Sequence, residues 1–203
     1  MIPARDALAR LRDGNRRFVA SLTQSAAGGS RPLELTEVQE PFAIILGCSD
    51  ARVPAEIVFD QGLGDLFVIR VAGNIVAPSQ VASVEFAAER FHTRLVVVLG
   101  HSQCGAVTAT LEELQLPHSE RSRNLRAIVD RVQASVEGLL DGHTGPITNA
   151  LVEAGVRLNI RASVDHLRHG SEVLVQLSQE HGLLVVGAEY SVESGTVDFF
   201  DVP

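Results

Sequence analysis

Apolar residues in this chain fall into two kinds of run, and their alternation predicts the fold. Short unbroken runs, Phe42-Ala43-Ile44-Ile45-Leu46-Gly47, Leu66-Phe67-Val68-Ile69-Arg70, Leu95 to Leu99 and Leu183 to Ala188, read as strands buried on both faces. Between them apolar residues recur at helical spacing. Asp6 to Ala20 carries Ala7, Leu8, Leu11, Phe18 and Val19 among Arg and Asp, which predicts a surface helix. Pro78 opens a helix through Phe91 whose inner face is expected at Val81, Val84, Phe86 and Ala87. Further helices are expected over Pro54 to Phe59, Cys104 to Leu116 (stopped by Pro117), Arg123 to Leu140, and Ile147 to Leu167. Ser171 suits the cap of a short helix ending near Gln179, and Ser194-Gly195 turns the fourth strand into a hairpin with Thr196 to Phe200.

Strands separated by helices predict a single α/β domain, residues 1–203. It holds a four-stranded parallel sheet, helices on both faces and a fifth, antiparallel edge strand. Residues 1–34 form a helical arm and loop, and residues 35–203 the α/β core. The Ser/Ala/Gly-rich loop Ser21 to Ser30 is long enough to let the arm reach away from its own domain, onto a second subunit.

Composition narrows the function. Of 203 residues, 45% are hydrophobic, enough for a substantial core, with one Tyr and no Trp, so the core rests on aliphatic side chains. A net charge of −8 disfavours nucleic-acid and anionic-membrane partners. All 17 basic residues are Arg, which excludes lysine Schiff-base chemistry and a P-loop. With no run long enough to span a membrane and no signal-peptide core, a cytoplasmic protein is expected.

Both cysteines stand directly after a predicted strand, in Cys48-Ser49-Asp50-Ala51-Arg52 and His101-Ser102-Gln103-Cys104-Gly105. Open parallel sheets bind ligands beyond the carboxyl ends of their strands, which gives a geometric reason to pair the two stretches. In a reducing compartment two distant cysteines are metal ligands or buried thiols rather than a disulfide. Cys48, His101 and Cys104 supply two thiolates and an imidazole, with the Asp50 carboxylate beside them, a donor set suited to tetrahedral Zn²⁺. His101 and Cys104 are three apart at a helix start, so one turn aims both at a point. Asp50 is close enough to Cys48 to share the metal or to compete for it. His92, His118, His143, His166, His169 and His181 lie on polar faces or loops and read as solvated.

The two stretches, extended to Cys48-Ser49-Asp50-Ala51-Arg52-Val53-Pro54-Ala55-Glu56 and Gly100-His101-Ser102-Gln103-Cys104-Gly105, resemble the signature motifs of the β-class carbonic anhydrases, with Ala51 where Ser is usual. The resemblance covers nearly the whole chain, including Asp65 to Asn74. It implies a sheet of order 2-1-3-4-5, one Zn²⁺ per chain on Cys48, His101 and Cys104, and a homodimer or dimer-based tetramer. The implied activity is reversible hydration of CO₂ to bicarbonate by zinc-bound hydroxide, with Asp50 held by Arg52 to orient the nucleophile. Asp50 as a fourth ligand instead gives a closed site, and family members are known in both arrangements. Alignment with the family puts Gln39, Phe67, Ala72 and Phe86 around the substrate, with Gln39 and Phe67 from a partner subunit, and lets Gly105 offer its backbone N–H or merely permit close helix approach. Phe86 stands where Tyr is common. Some members bind bicarbonate at a second site through a Trp and an Arg; here Arg70 is present but Ile45 replaces the Trp, so no strong inhibition through that site is expected.

Two rivals share these residues: hydrolysis of CS₂ or COS on the same scaffold, and a non-catalytic zinc-stabilised protein. A dinucleotide domain fails, because Gly62-Leu63-Gly64 lacks a third glycine and precedes a strand. No Gly-x-Ser-x-Gly elbow supports a serine hydrolase.

Overall fold

The structure, a computed structural model, describes residues 2–22, 39–116 and 125–202. The loop Ser21 to Ser30 beyond residue 22, Pro117, His118 and the start of the helix expected from Arg123 fall outside the described residues. Five strands form one sheet in the order β2-β1-β3-β4-β5. They are β1 (Ala43–Gly47), β2 (Leu66–Arg70), β3 (Leu95–His101), β4 (Leu184–Tyr190) and β5 (Val197–Phe200). The first four are parallel and β5 is antiparallel to β4.

Alternation along each strand divides the interior into two layers. Ile44, Leu46, Val96, Val98 and Val185 face one side, where α3 (Pro78–Arg90), α4 (Gly105–Gln115), α5 (Arg126–Val136), α6 (Asn149–His169) and α7 (Glu172–His181) pack. Ile45, Leu95, Val97, Leu99 and Val186 face the other, covered by α1 (Ala4–Leu22) and the short α2 (Ala55–Val58). Buried to the last residue on both faces, β1 and β3 explain why their sequences show no alternation. Gly100 lets α6 press against β3: a Cβ there would lie 2.5 Å from Ile160 Cδ1.

Three expectations change. The N-terminal helix does not reach away from its chain. Ala4, Ala7, Leu8 and Leu11 bury their side chains in its own domain, and Asn15, 6% exposed, bonds to the carbonyls of Val58 and Gly195. Phe86 is 51% exposed and not on the inner face of α3, which is Val84, Ala87 and Ala88. At 3.6 residues per turn Phe86 sits about 200° round the helix from Val84, and its ring meets Phe67 at a tilt and Phe91 edge to face. β3 continues two residues past the apolar run, to His101, which pairs with Tyr190 of a β4 that is also longer than expected. Ser171 caps α7 as expected, accepting from Leu174 N at 3.1 Å.

Candidate metal centre

Two strand ends and one helix start converge here. His101 is the last residue of β3 and completely buried; Cys104, 1% exposed, is the residue before α4; Cys48 follows β1 and is 5% exposed. Nε2 or Nδ1 of His101 and the two sulfurs lie within 4.8 Å of one another. The neighbouring parallel strands β1 and β3 put their carboxyl ends side by side, so the pairing expected from strand ends is what the fold delivers.

The donor chemistry fits a metal. Nδ1 of His101 lies 2.9 Å from the Ser102 carbonyl, which can only accept, so Nδ1 carries the hydrogen and Nε2 presents a lone pair. That Nε2 is buried and meets no hydrogen-bond partner. Such an orphaned acceptor beside two thiols is expensive unless a cation takes it up. The thiols titrate as a pair. Interaction with Cys104 draws Cys48 down towards thiolate, against burial, with help from His101 and the Gly73 N–H. Cys104 is pushed up, first by Cys48 and then by burial. One proton leaves easily and the second is retained, because two adjacent buried thiolates repel; a cation among them lets both ionise. Burial disfavours a charged His101, but Cys48 and the Ser102 carbonyl outweigh it and raise its pKa.

Asp50 stands outside this trio. Arg52 grips it with a two-pronged fork, Nε to Oδ1 at 2.9 Å and Nη2 to Oδ2 at 2.7 Å, and the Arg52 backbone N–H adds a third bond to Oδ1 at 2.9 Å. The carboxyl is held well below the usual carboxylate range, chiefly by the Arg52 side chain and against partial burial. Its Oδ2 lies 3.9 Å from His101 Nε2, at the edge of the donor cluster.

Three features that support the loop were missed from sequence. Arg70, at the carboxyl end of β2, donates to the carbonyls of Cys48 at 3.0 Å and Asp50 at 2.5 Å. Gly73 donates its N–H to Cys48 Sγ at 3.4 Å from a left-handed backbone, φ 69°, that glycine adopts without strain. Asn159 of α6 fixes that glycine, donating to its carbonyl at 2.8 Å. A polar residue ending a strand and a glycine inside an apolar helix-facing turn are the only sequence signals for these roles.

Of the residues expected around the substrate, Phe67 and Phe86 lie ring to ring. Gln39 is exposed, Phe67 half-buried in β2 with its ring 6.2 Å from that of Phe86, and Ala72 half-buried in the 3₁₀ turn Ala72–Asn74. Gly105 opens α4, exposed, and a Cβ there would meet nothing within 4 Å, so close helix approach does not require it. Ile45 is completely buried, in the layer covered by α1.

Comparison with known proteins agrees with this geometry. A family model described as carbonic anhydrase matches residues 43–197. A carbonic anhydrase of Mycolicibacterium smegmatis is 38% identical over 192 residues, 93% of this chain and 89% of that protein. Carbonic anhydrase 2 of Mycobacterium tuberculosis is 36% identical, over 91% of this chain and 87% of its own length. Among solved structures, a tetrameric β-carbonic anhydrase of Sordaria macrospora superposes with a TM-score of 0.71 at 25% identity, covering 83% of this chain and 84% of that one.

Proposed function

The chain belongs to the β class of carbonic anhydrases, and we propose that Asp50 and Arg52 form the dyad that orients the attacking water for reversible hydration of CO₂. The observation that carries this reading is the forked Asp50–Arg52 pair with Oδ2 3.9 Å from His101 Nε2. Cys48, His101 and Cys104 would hold the zinc. Zinc held there would supply the Lewis acidity that lets water act as a nucleophile at neutral pH.

The protein's own groups do the rest. Arg52 saturates Oδ1 and one side of Oδ2, which leaves Oδ2 to accept a hydrogen bond from the nucleophile and fix its lone pair toward the carbon of CO₂. Because Arg52 keeps Asp50 ionised, the group stays an acceptor and does not compete for the proton that departs to buffer. If Asp50 turned from Arg52 onto the metal, it would close the site as a fourth ligand.

For the substrate we assign apolar walls to Phe67, Ala72 and Phe86, an amide donor to Gln39, and a backbone donor to Gly105, a combination suited to an apolar reactant and an anionic product. Gln39 and Phe86 are exposed in the single chain, which supports completion of the pocket by a second copy, as a homodimer or dimer-based tetramer. Among the described residues no helix is long and apolar enough to cross a membrane, and we assign the enzyme to the cytoplasm.

Stopped-flow CO₂ hydration on the zinc-loaded protein tests the reading. Wild-type enzyme is expected to be active, and Asp50→Ala to lose over roughly tenfold in turnover while retaining zinc. Near-wild-type turnover in Asp50→Ala would sink the dyad. Inactivity of the wild type throughout pH 7 to 9, about the range where Cys and His ionise, would favour a structural zinc site instead.

A further inference from the structure

Glu193 stands exposed on the hairpin turn, yet both of its carboxylate oxygens are occupied. Gln103 Nε2 donates to Oε1 at 2.5 Å, and the hydroxyls of Ser102 and Ser191 donate to Oε2 at 2.7 and 3.0 Å. Ser102 and Gln103 are the two residues between His101 and Cys104. Ser102 is fastened further to the same hairpin, through its N–H to the Tyr190 carbonyl at 2.9 Å and through its Oγ, which accepts from Val192 N at 3.0 Å. Gln103 has φ 55°, a left-handed backbone that a non-glycine residue rarely adopts. In that conformation its carbonyl accepts from Arg52 Nη2 at 3.4 Å, the same nitrogen that holds Asp50 Oδ2.

We propose that Glu193 is a positioning residue for CO₂ hydration: it clamps Ser102 and Gln103 so that the loop between His101 and Cys104 offers a carbonyl to Arg52 and steadies the Asp50–Arg52 pair. This rests on the dyad role given above. The clamp has a firm base. Asn15 of α1, buried, donates to the Gly195 carbonyl at 3.0 Å and accepts from Val197 N at 3.0 Å, so the turn carrying Glu193 is pinned to the domain. Hydrogen bonds from Ser102, Ser191 and Gln103 also lower the pKa of Glu193, led by Ser102, so it remains an acceptor at neutral pH. Without the carboxylate, Gln103 is free to leave the left-handed region and withdraw its carbonyl from Arg52.

The test uses the zinc-loaded enzyme and a cobalt(II)-substituted form. Glu193→Ala is expected to lower kcat by about tenfold, as loss of groups that orient metal ligands does, with KM for CO₂ little changed and zinc retained. Its cobalt visible bands should shift, because the backbone joining two ligands relaxes. Glu193→Gln keeps an acceptor for Ser102, should fold wherever wild type does, and is expected between the two. In an Arg52→Ala background, Glu193→Ala should cost no more than about twofold further, since coupled residues are not additive. A full, independent tenfold loss in that background, or wild-type kcat in Glu193→Ala, overturns the proposal. Should wild type fail to hydrate CO₂, the functional reading falls, and the cobalt spectrum still decides the clamp: unshifted bands in Glu193→Ala refute it.

Discussion

The loop from His101 to Cys104 leaves a strand buried at every residue and enters a helix of 11 residues, whereas the loop from Cys48 to Pro54 leaves an equally buried strand and enters a helix of 4. In the first, backbone continuity fixes the ligands: His101 is still in register with Tyr190, and Cys104 is already the helix cap. In the second, individual hydrogen bonds hold the shape: from outside, Arg70 on two carbonyls and the Gly73 N–H on Cys48, and within the loop, Arg52 on Asp50. A metal donor and a group that orients a nucleophile both need to stay put; the first loop takes its steadiness from regular backbone and the second from hydrogen bonds. The division of labour follows from how much regular structure stands behind each loop.

The sharpest way to break that comparison is to remove a ligand from each loop. His101→Ala and Cys104→Ser should reduce zinc from one per chain to almost none, with no measurable hydration, because their own loop offers only Ser102 and Gln103 in place of the lost donor. Cys48→Ser should keep more zinc than Cys104→Ser while remaining inactive, since Asp50, two residues on, can move into the vacated position. Metal analysis after dialysis against a chelator measures this, and equal zinc retention in the two serine variants would erase the difference between the loops.

A smaller effect is expected from Arg52→Ala: turnover lower by roughly tenfold, zinc kept, and greater sensitivity to acid. The sign follows from linkage. The folded pKa of Asp50 lies below its unfolded value, so its contribution to stability is present above the unfolded value and disappears as pH falls through the folded one. Losing Arg52 moves the folded value back up. Acid unfolding followed by circular dichroism downward from about pH 6, above the ordinary range of carboxylates, should therefore begin at higher pH in Arg52→Ala than in wild type. Superimposable curves would mean that Arg52 does not govern the ionisation of Asp50.

Sequence pattern discloses the strands, their boundaries within two residues, and the three side chains that cluster as candidate ligands, because each depends on local chemistry: a doubly buried strand must be apolar throughout, and soft metal donors are few. The resemblance of the two motifs to the β class supplied the strand order and the Asp50–Arg52 pair. What was not legible was held by long-range contact. The apolarity of Phe86 points to the interior, but apolarity does not say which side of α3 faces the sheet. Arg70 looked like an anion donor left without a partner, whereas its guanidinium braces the Cys48–Asp50 backbone. Glu193 offered no pattern at all, since an acidic residue in a turn is unremarkable until Ser102 and Gln103 are beside it. Nor did the apolar stripe of α1 say which surface it covers.

The mildest perturbation probes how α6 supports the less regular loop. Asn159, 3% exposed, donates to the Gly73 carbonyl, and Gly73 donates in turn to Cys48. Asn159→Ala leaves that carbonyl buried without its partner, which should cost about 1–3 kcal/mol of stability, read as a lower midpoint in denaturant. With the metal on the three proposed donors, of which Cys48 takes the Gly73 N–H, zinc content should hold and turnover should fall by no more than about threefold, a fraction of what the same free energy would cost if it all reached the transition state. If Asn159→Ala instead released zinc as Cys104→Ser does, the support of the second loop would be as indispensable as the ligands of the first. If it melted like wild type, Gly73 would be held by its own backbone, and side chains would matter less to that loop than its short helix suggests.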